Sequence, residues 1–521
     1  MKTIFLLFDS LNRHALSCYA SDAPPTPNFD RLAARAVTFD THYVGSLPCM
    51  PARRDIQTGR LNFLHRGWGP LEPFDHSIAA MLRDNGVYTH LITDHYHYFE
   101  DGGFTFHGRY SSWEFIRGQE KDKWRPAISP DVEAYRSRFH ESQHDFSRDI
   151  NAKLPYYVNR AFLEKTDAFP LAQCFAAATD FVDAHHADDN WFLHLECFDP
   201  HEPFFAPERF LREHGAALGG KIFDWPSYGR ADIAPELLAQ LRAHYFALVA
   251  ACDHQLGTLL DLFDRYDLWR DTCLVVSTDH GLLLGEKEFL GKNRPPFYNE
   301  VANIPLLIST PEACAGRIAA LTQTIDLMPT LLDIFGLPLP AETTGSSLRP
   351  LLRDPGAEWP REGCIYGQFG AAINYTDGRH VYFLYPREPF EANLFQYTLM
   401  PTHMRSFFEV EEFTEAEVTQ LAFTRGYPLW RLPVQKNASA NMVRRYPLLD
   451  ARTVLFDLAD DPRQLRPIDN PGVEARIRRA IVELLRANDA PAEMFVRYAL
   501  EAENTPPAAR AASDHTLEEE A

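Results

Sequence analysis

The sequence predicts an α/β fold: a large, doubly wound, mostly parallel sheet domain followed by a smaller C-terminal α+β domain. Three observations carry this. Continuous apolar runs of the kind that fill strands covered on both faces recur at residues 3–8, 191–198 and 273–278. Amphipathic helical stretches lie among them, at 27–36, 77–85 and 235–266. After Pro338 the composition changes, with further prolines at Pro340, Pro350, Pro355 and Pro360.

The first run opens the chain and stops at Asp9. It is about six residues long, too short for the apolar core of a secretion signal. No run reaches the ~18 apolar residues of a membrane span. The long helix at 235–266 places Leu238, Leu241, Tyr245, Leu248, Val249 and Cys252 close to a 3.6-residue period, so one face is buried. This alternation defines a first domain over residues 1–355. Beyond the prolines, short strands are expected at 364–369, 380–385 and 453–458, and a helix at 473–488. They make a second domain over 360–500. The tail at 501–521, rich in Ala, Pro and Glu, is expected to be disordered. Two aromatic-rich passages, 96–124 and 390–430, stand outside this frame as lids or as contacts between copies in a homo-oligomer.

A chain of 521 residues exceeds what a single core usually supports. The net charge of −21, from 72 Asp and Glu against 51 Lys and Arg, argues against nucleic-acid and anionic-membrane partners. A site for an anionic substrate must therefore be locally basic. The eight cysteines are scattered, with no C-x-x-C pair and no metal-ligand spacing, which fits a reducing, cytoplasmic location.

In open α/β sheets, ligands bind beyond the carboxyl ends of the strands. Asp9 and Ser10 follow the first run, His201 lies just past the second, and Asp279-His280-Gly281 follow the third. Asp9, Asp279 and His280 form an oxygen-rich set with one imidazole that suits a single divalent cation: calcium, magnesium or, with the imidazole, manganese. The competing reading, that Asp9 and Asp279 are N-caps of following helices, is common for a single such loop but is outweighed by two loops together with the cysteine motif. Cys49 lies in Pro48-Cys49-Met50-Pro51-Ala52-Arg53, followed by Thr58-Gly59-Arg60. Pro51 suits a first helical turn, which puts residue 49 at a positive helix end where an oxyanion is favoured.

This C-x-P-x-R element resembles the signature of the sulfatase family in the alkaline phosphatase superfamily. The order Asp9, Cys49 to Gly59, His201, Asp279-His280 and Lys292 matches as well. So do Pro25-Thr26-Pro27-Asn28-Phe29-Asp30, Thr324-Ile325-Asp326-Leu327-Met328-Pro329-Thr330, Gly345-Ser346-Ser347-Leu348 and Leu455-Phe456-Asp457-Leu458. The resemblance implies an alkaline phosphatase-like fold and hydrolysis of sulfate esters, aryl sulfates first. It implies that Cys49 is converted to formylglycine by a formylglycine-generating enzyme. It further implies one Ca2+ or Mn2+ ion on Asp9, residue 49, Asp279 and His280, with Arg53 and Lys292 as anion clamps. His201 would contact the ester oxygen of a small anionic ester.

Three departures qualify the resemblance. Ser10 stands where many members have a second Asp, so that ligand position is weakened. Asp279-His280 replaces Asp-Asn, as in the related phosphonate monoester hydrolases. The Gly-Lys-x-His element is absent after Gly86-Val87-Tyr88-Thr89, leaving His95 and His97 as substitutes or as structural histidines. Two rivals follow: a phosphonate monoester or phosphodiester hydrolase on the same site, and a non-catalytic anion-binding relative. Phe104, Phe106, Tyr110, Trp113 and Phe115 either wall an aryl pocket or serve as packing.

Overall fold

The computed structural model describes residues 1–143, 153–216, 219–387, 394–434 and 448–504. Its frame is an eight-stranded sheet. From edge to edge the strands are Gly316–Ile318, Val37–Phe39, Leu306–Ser309, Thr272–Thr278, Lys2–Phe8, Trp191–Cys197, Tyr88–Thr93 and Ser112–Phe115. All run parallel except Leu306–Ser309, which opposes both neighbours. The three strands expected from apolar runs lie side by side at the centre, with Lys2–Phe8 between the other two.

Lys2–Phe8 shows why those runs are unbroken. Ile4, Leu6 and Phe8 face one core, with Phe175 of the helix Pro170–His185 and Leu241, Tyr245 and Leu248 of the helix Pro235–Arg265. Phe5 and Leu7 face the opposite core, with Ile56, Leu82 and Leu331. A strand buried on both faces has no polar alternate positions. The helix Pro27–Ala33 leans on the long helix through its own N-terminus. Thr26 makes no side-chain cap, and Asp253 Oδ1 instead accepts from the amides of Asn28 and Phe29 at 2.9 Å each.

The C-terminal residues form a five-stranded sheet in the order Val454–Asp457, His380–Leu384, Ile373–Thr376, Cys364–Gln368 and Ser46–Leu47. The helix Pro471–Ala487 covers it, packing Ile477, Ile481 and Leu485 on Ile365, Ile373 and Tyr375. The fifth strand comes from the far end of the chain. Ser46 and Leu47 pair in parallel with Gly367 and Gln368, two residues before Cys49. Part of the second aromatic passage forms a three-stranded sheet, Phe395–Thr398, Leu429–Pro433 and Glu417–Thr419, whose Tyr397 and Leu429 pack with Phe74. Residues 390–393 of that passage, and the tail after 504, lie outside the described residues.

Candidate active site

The carboxyl ends of the three central strands meet the N-terminus of the helix Cys49–Thr58. The loop before this helix is held by Asp55, whose carboxylate accepts from Ser46 N (2.5 Å), Ser46 Oγ (2.8 Å) and Asn62 N (3.0 Å). Gly45 makes this approach possible, because a Cβ there would lie 2.3 Å from Asp55 Oδ2. Gly59 ends the helix at φ +66°, its amide bonded to Asp55 O, so the Thr-Gly of the motif has a structural reason.

Arg53 lies one helical turn after Cys49 and is 1 % exposed. Its Nε meets Glu196 Oε1 at 2.7 Å, Nη1 meets Asp279 Oδ2 at 2.6 Å, and Nη2 meets Asp9 Oδ2 at 2.9 Å. The fork is thus turned onto three buried carboxylates and does not line the cavity, where a clamp on substrate would have to be. Lys292 does line it. The Lys292 ammonium lies 3.6 Å from Asp9 Oδ1 and donates to Ser10 Oγ at 2.7 Å, and Ser10 Oγ donates to Asp9 Oδ1 at 2.7 Å. Ser10 adopts φ +62°, and its amide donates to Asp279 Oδ1. Burial alone would raise the Asp9 carboxyl, but Lys292 and Arg53 outweigh it and hold Asp9 well below the usual range. Burial, reinforced by Asp9, pushes the Cys49 thiol up. Neither aspartate caps a helix through its side chain; both face inward.

One ligand atom from each of Asp9, Cys49, Asp279 and His280 lies within 4.8 Å of the other three, all buried. His280 Nδ1 donates to Gly281 O at 3.0 Å, which leaves the Nε2 lone pair facing Cys49 Sγ and Asp279 Oδ2, each at 3.3 Å. Three carboxylates against Arg53 and Lys292 leave a residual negative charge in a buried place. Donor type, tautomer and charge all fit a divalent cation. His95 sits beside the set with Nε2 3.6 Å from Asp9 Oδ2, and neither ring nitrogen has a hydrogen-bond partner. Burial, then Arg53, pushes its ring down to about 4, so it is neutral at pH 7. His97 is engaged differently: Nδ1 donates to Glu100 (2.6 Å) and Nε2 accepts from Arg405 (2.9 Å). His201 Nδ1 donates to Glu202 O at 2.5 Å, so its Nε2 is the free ring atom.

At this floor opens a cavity of about 370 Å3, lined by Cys49, Lys292, His97 and His201 and also by Trp68, Trp225, Tyr228, Lys121, Lys153 and Arg405. None of the five aromatics considered for an aryl wall lines it. Phe106 and Tyr110 are core, while Phe104 and Trp113 are 66 % and 45 % exposed. The passage contributes His97, Glu120 and Lys121 instead. Sequence reasoning missed Glu196, though a glutamate two residues from a histidine inside an apolar strand was a readable signal. The outer wall carried no such signal.

The fold and the floor together define an alkaline phosphatase-like α/β hydrolase with a buried carboxylate–cysteine–histidine cluster. Residues 2–337 match the sulfatase family model. The chain belongs to the sulfatase family and is a sulfuric ester hydrolase; the family generally uses a metal ion and a formylglycine. It is 23 % identical over 433 residues to an N-acetylglucosamine-6-O-sulfatase of Bacteroides thetaiotaomicron, covering 72 % of this chain and 75 % of that one. It is 25 % identical over 402 residues to a choline-sulfatase of Rhizobium meliloti, with 72 % and 75 % covered. The phosphonate monoester hydrolase of Agrobacterium radiobacter shares the fold, with TM-score 0.62, 19 % identity, and 94 % and 95 % of the two chains covered.

Proposed function

We propose that this chain hydrolyses sulfate esters of a ring-bearing alcohol, aryl sulfates first, with Cys49 matured to formylglycine. One divalent cation, calcium or manganese, would be held by Asp9, residue 49, Asp279 and His280. The observation that carries this is the four-donor cluster at the floor of a basic cavity in a chain of net charge −21. Bound there, the cation supplies Lewis-acid stabilisation of charge on the sulfuryl oxygens. Formed at residue 49, the formylglycine hydrate would supply two hydroxyls on one carbon, one as nucleophile and one whose deprotonation would allow sulfate to leave by carbon–oxygen cleavage.

Lys292 faces the cavity and neutralises a non-bridging oxygen, with Ser10 fixing its direction. Arg53 acts from behind. It holds Asp9 and Asp279 in register and balances their charge, which revises the clamp role given to it by resemblance. His201, anchored at Nδ1, offers Nε2 to the departing oxygen. Between the two histidine candidates for the base, His95 is favoured, because its ring nitrogens are unbonded while both nitrogens of His97 are occupied.

The test is mass spectrometry of the peptide spanning residues 49–53, paired with steady-state assays. Formylglycine at 49 is expected, and Cys49→Ser should lose turnover while retaining at most a stoichiometric burst. An intact thiol on fully active protein overturns the reading. The imidazole at 280 also favours phosphonate monoesters as secondary substrates. Comparing kcat/KM for an aryl sulfate and a phenylphosphonate ester on one preparation ranks them.

A further inference from the structure

We propose that the protein carries a second ligand site, which takes a small molecule with an apolar body and one ammonium group that meets Asp199. The site is a cavity of about 360 Å3 that shares no lining residue with the catalytic one, so it stands apart from the sulfate-ester reading. Its volume falls in the range of pockets that hold small organic ligands. Leu248 of the helix Pro235–Arg265 and Phe210 of the helix Glu208–Glu213 form buried walls. Phe169 and Phe205 complete them, with ring centroids 4.9 Å apart. The charged lining residues Asp167, Glu208 and Arg209 are exposed, and Glu208 is already bonded to Arg212.

Asp199 is the charged residue buried in this cavity, at 5 % exposure. Its Oδ1 accepts from Gln119 Nε2 at 3.0 Å, and the same nitrogen donates to Asp94 Oδ2 at 3.0 Å. One neutral amide thus holds two carboxyls together without balancing their charge. Asp94 places its other oxygen on the amide of Phe198, at 2.6 Å. Asp199 Oδ2 has no hydrogen-bond partner among the described residues, and none of their Lys, Arg or His side chains lies within ion-pair distance of either carboxyl.

A buried carboxyl beside another, with no cation, invites a positive partner. Burial and then Asp94 push Asp199 up, and burial pushes Asp94 up to about 7. A bound ammonium relieves both causes. The walls decide what kind of cation fits. A calcium or magnesium ion needs a shell of oxygens, which aromatic and aliphatic side chains do not supply. An organic cation buries its apolar body on those walls and leaves its charged head for Asp199. An anionic ligand would meet the carboxyl with the wrong sign.

The test is calorimetric titration of the full chain with tryptamine and hexylamine, each beside its alcohol, tryptophol or hexanol. At least one amine should bind about tenfold or more tightly than its alcohol, the difference expected of a hydrogen bond between charged groups. Asp199→Asn keeps the shape of the side chain and an acceptor for Gln119 while removing the charge. Amine and alcohol should then bind within about twofold of each other. Ala172→Trp, at an exposed lining position, narrows the cavity and should weaken the amine by about tenfold or more. This second variant decides the matter if Asp199→Asn does not fold. Amine binding in the catalytic cavity, beside Glu120 and Glu202, would survive both substitutions, and that result overturns the proposal. So does a parent that binds neither amine, or binds them no more tightly than the alcohols.

Discussion

The floor of the cavity and its outer wall solve opposite electrostatic problems. At the floor, Arg53 touches Asp9, Asp279 and Glu196, every partner is buried, and each side chain comes from the end of a central strand or the helix between them. On the wall, Lys121 pairs with Glu120 and Arg405 with Glu100, both cations sit partly in solvent, and they come from long connections and the C-terminal three-stranded sheet region. The floor is buried and keeps one net negative charge among its three carboxylates, Arg53 and Lys292, which suits a cation. The wall's cations keep a solvent-facing side, which suits recognition.

The largest expected effect lies at the floor. Arg53→Met would leave three buried carboxylates facing one another, so a loss of about 3–5 kcal/mol and of all measurable turnover is expected. Arg53→Lys should recover part of the stability but stay at least ~100-fold slow, because one ammonium cannot replace a three-way fork. Thermal unfolding beside kcat reads both, and a fully stable Arg53→Met would break the contrast between floor and wall. The two histidines sharpen it. His95→Gln should lower kcat by about 100-fold with little change in KM, as expected for loss of a base. His97→Gln, which loosens Arg405 on the wall, should raise KM several-fold and leave kcat nearly intact. The reverse pattern would exchange their roles.

The smallest effect concerns histidines remote from both regions. His42 and His65 are buried, and burial, aided by Arg361 and Arg60 respectively, pushes each down to about 3. The folded values lie below the ordinary ~6.5, so the unfolded chain takes up protons that the native state cannot. Their contribution is complete above about pH 6.5 and is lost as pH falls toward 3, by about 1.4 kcal/mol per pH unit for each ring. Denaturant midpoints between pH 7 and 5 should fall accordingly. His42→Gln with His65→Gln should flatten that slope without altering activity per folded molecule.

The sequence made the floor legible and left the wall hidden, for a physical reason. Strands buried on both faces write unbroken apolar runs, and the polar residue that ends each run, Asp9 or Asp279, marks where ligands gather. Glu196 was overlooked because it sits inside such a run. Lys121, Lys153, Trp225 and Arg405 meet through loops, and loop direction is set by tertiary packing that leaves no local period. The aromatic passage left two readings open for the same reason: clustered rings announce packing, but which way Phe104 or Trp113 turns is decided by the elements around them. The pairing of Ser46 and Leu47 with Gly367 and Gln368 was equally invisible, being two residues long and separated by most of the chain.

That pairing has a consequence for the order in which the chain can be completed. The partner strand of Ser46–Leu47 begins at Cys364, so it leaves the ribosome some three hundred residues after Cys49. At ~5–20 residues per second, roughly 15–60 s pass in which the nascent Cys49 loop has no splint on one side. Any maturation chemistry that needs an open chain at residue 49 has that interval.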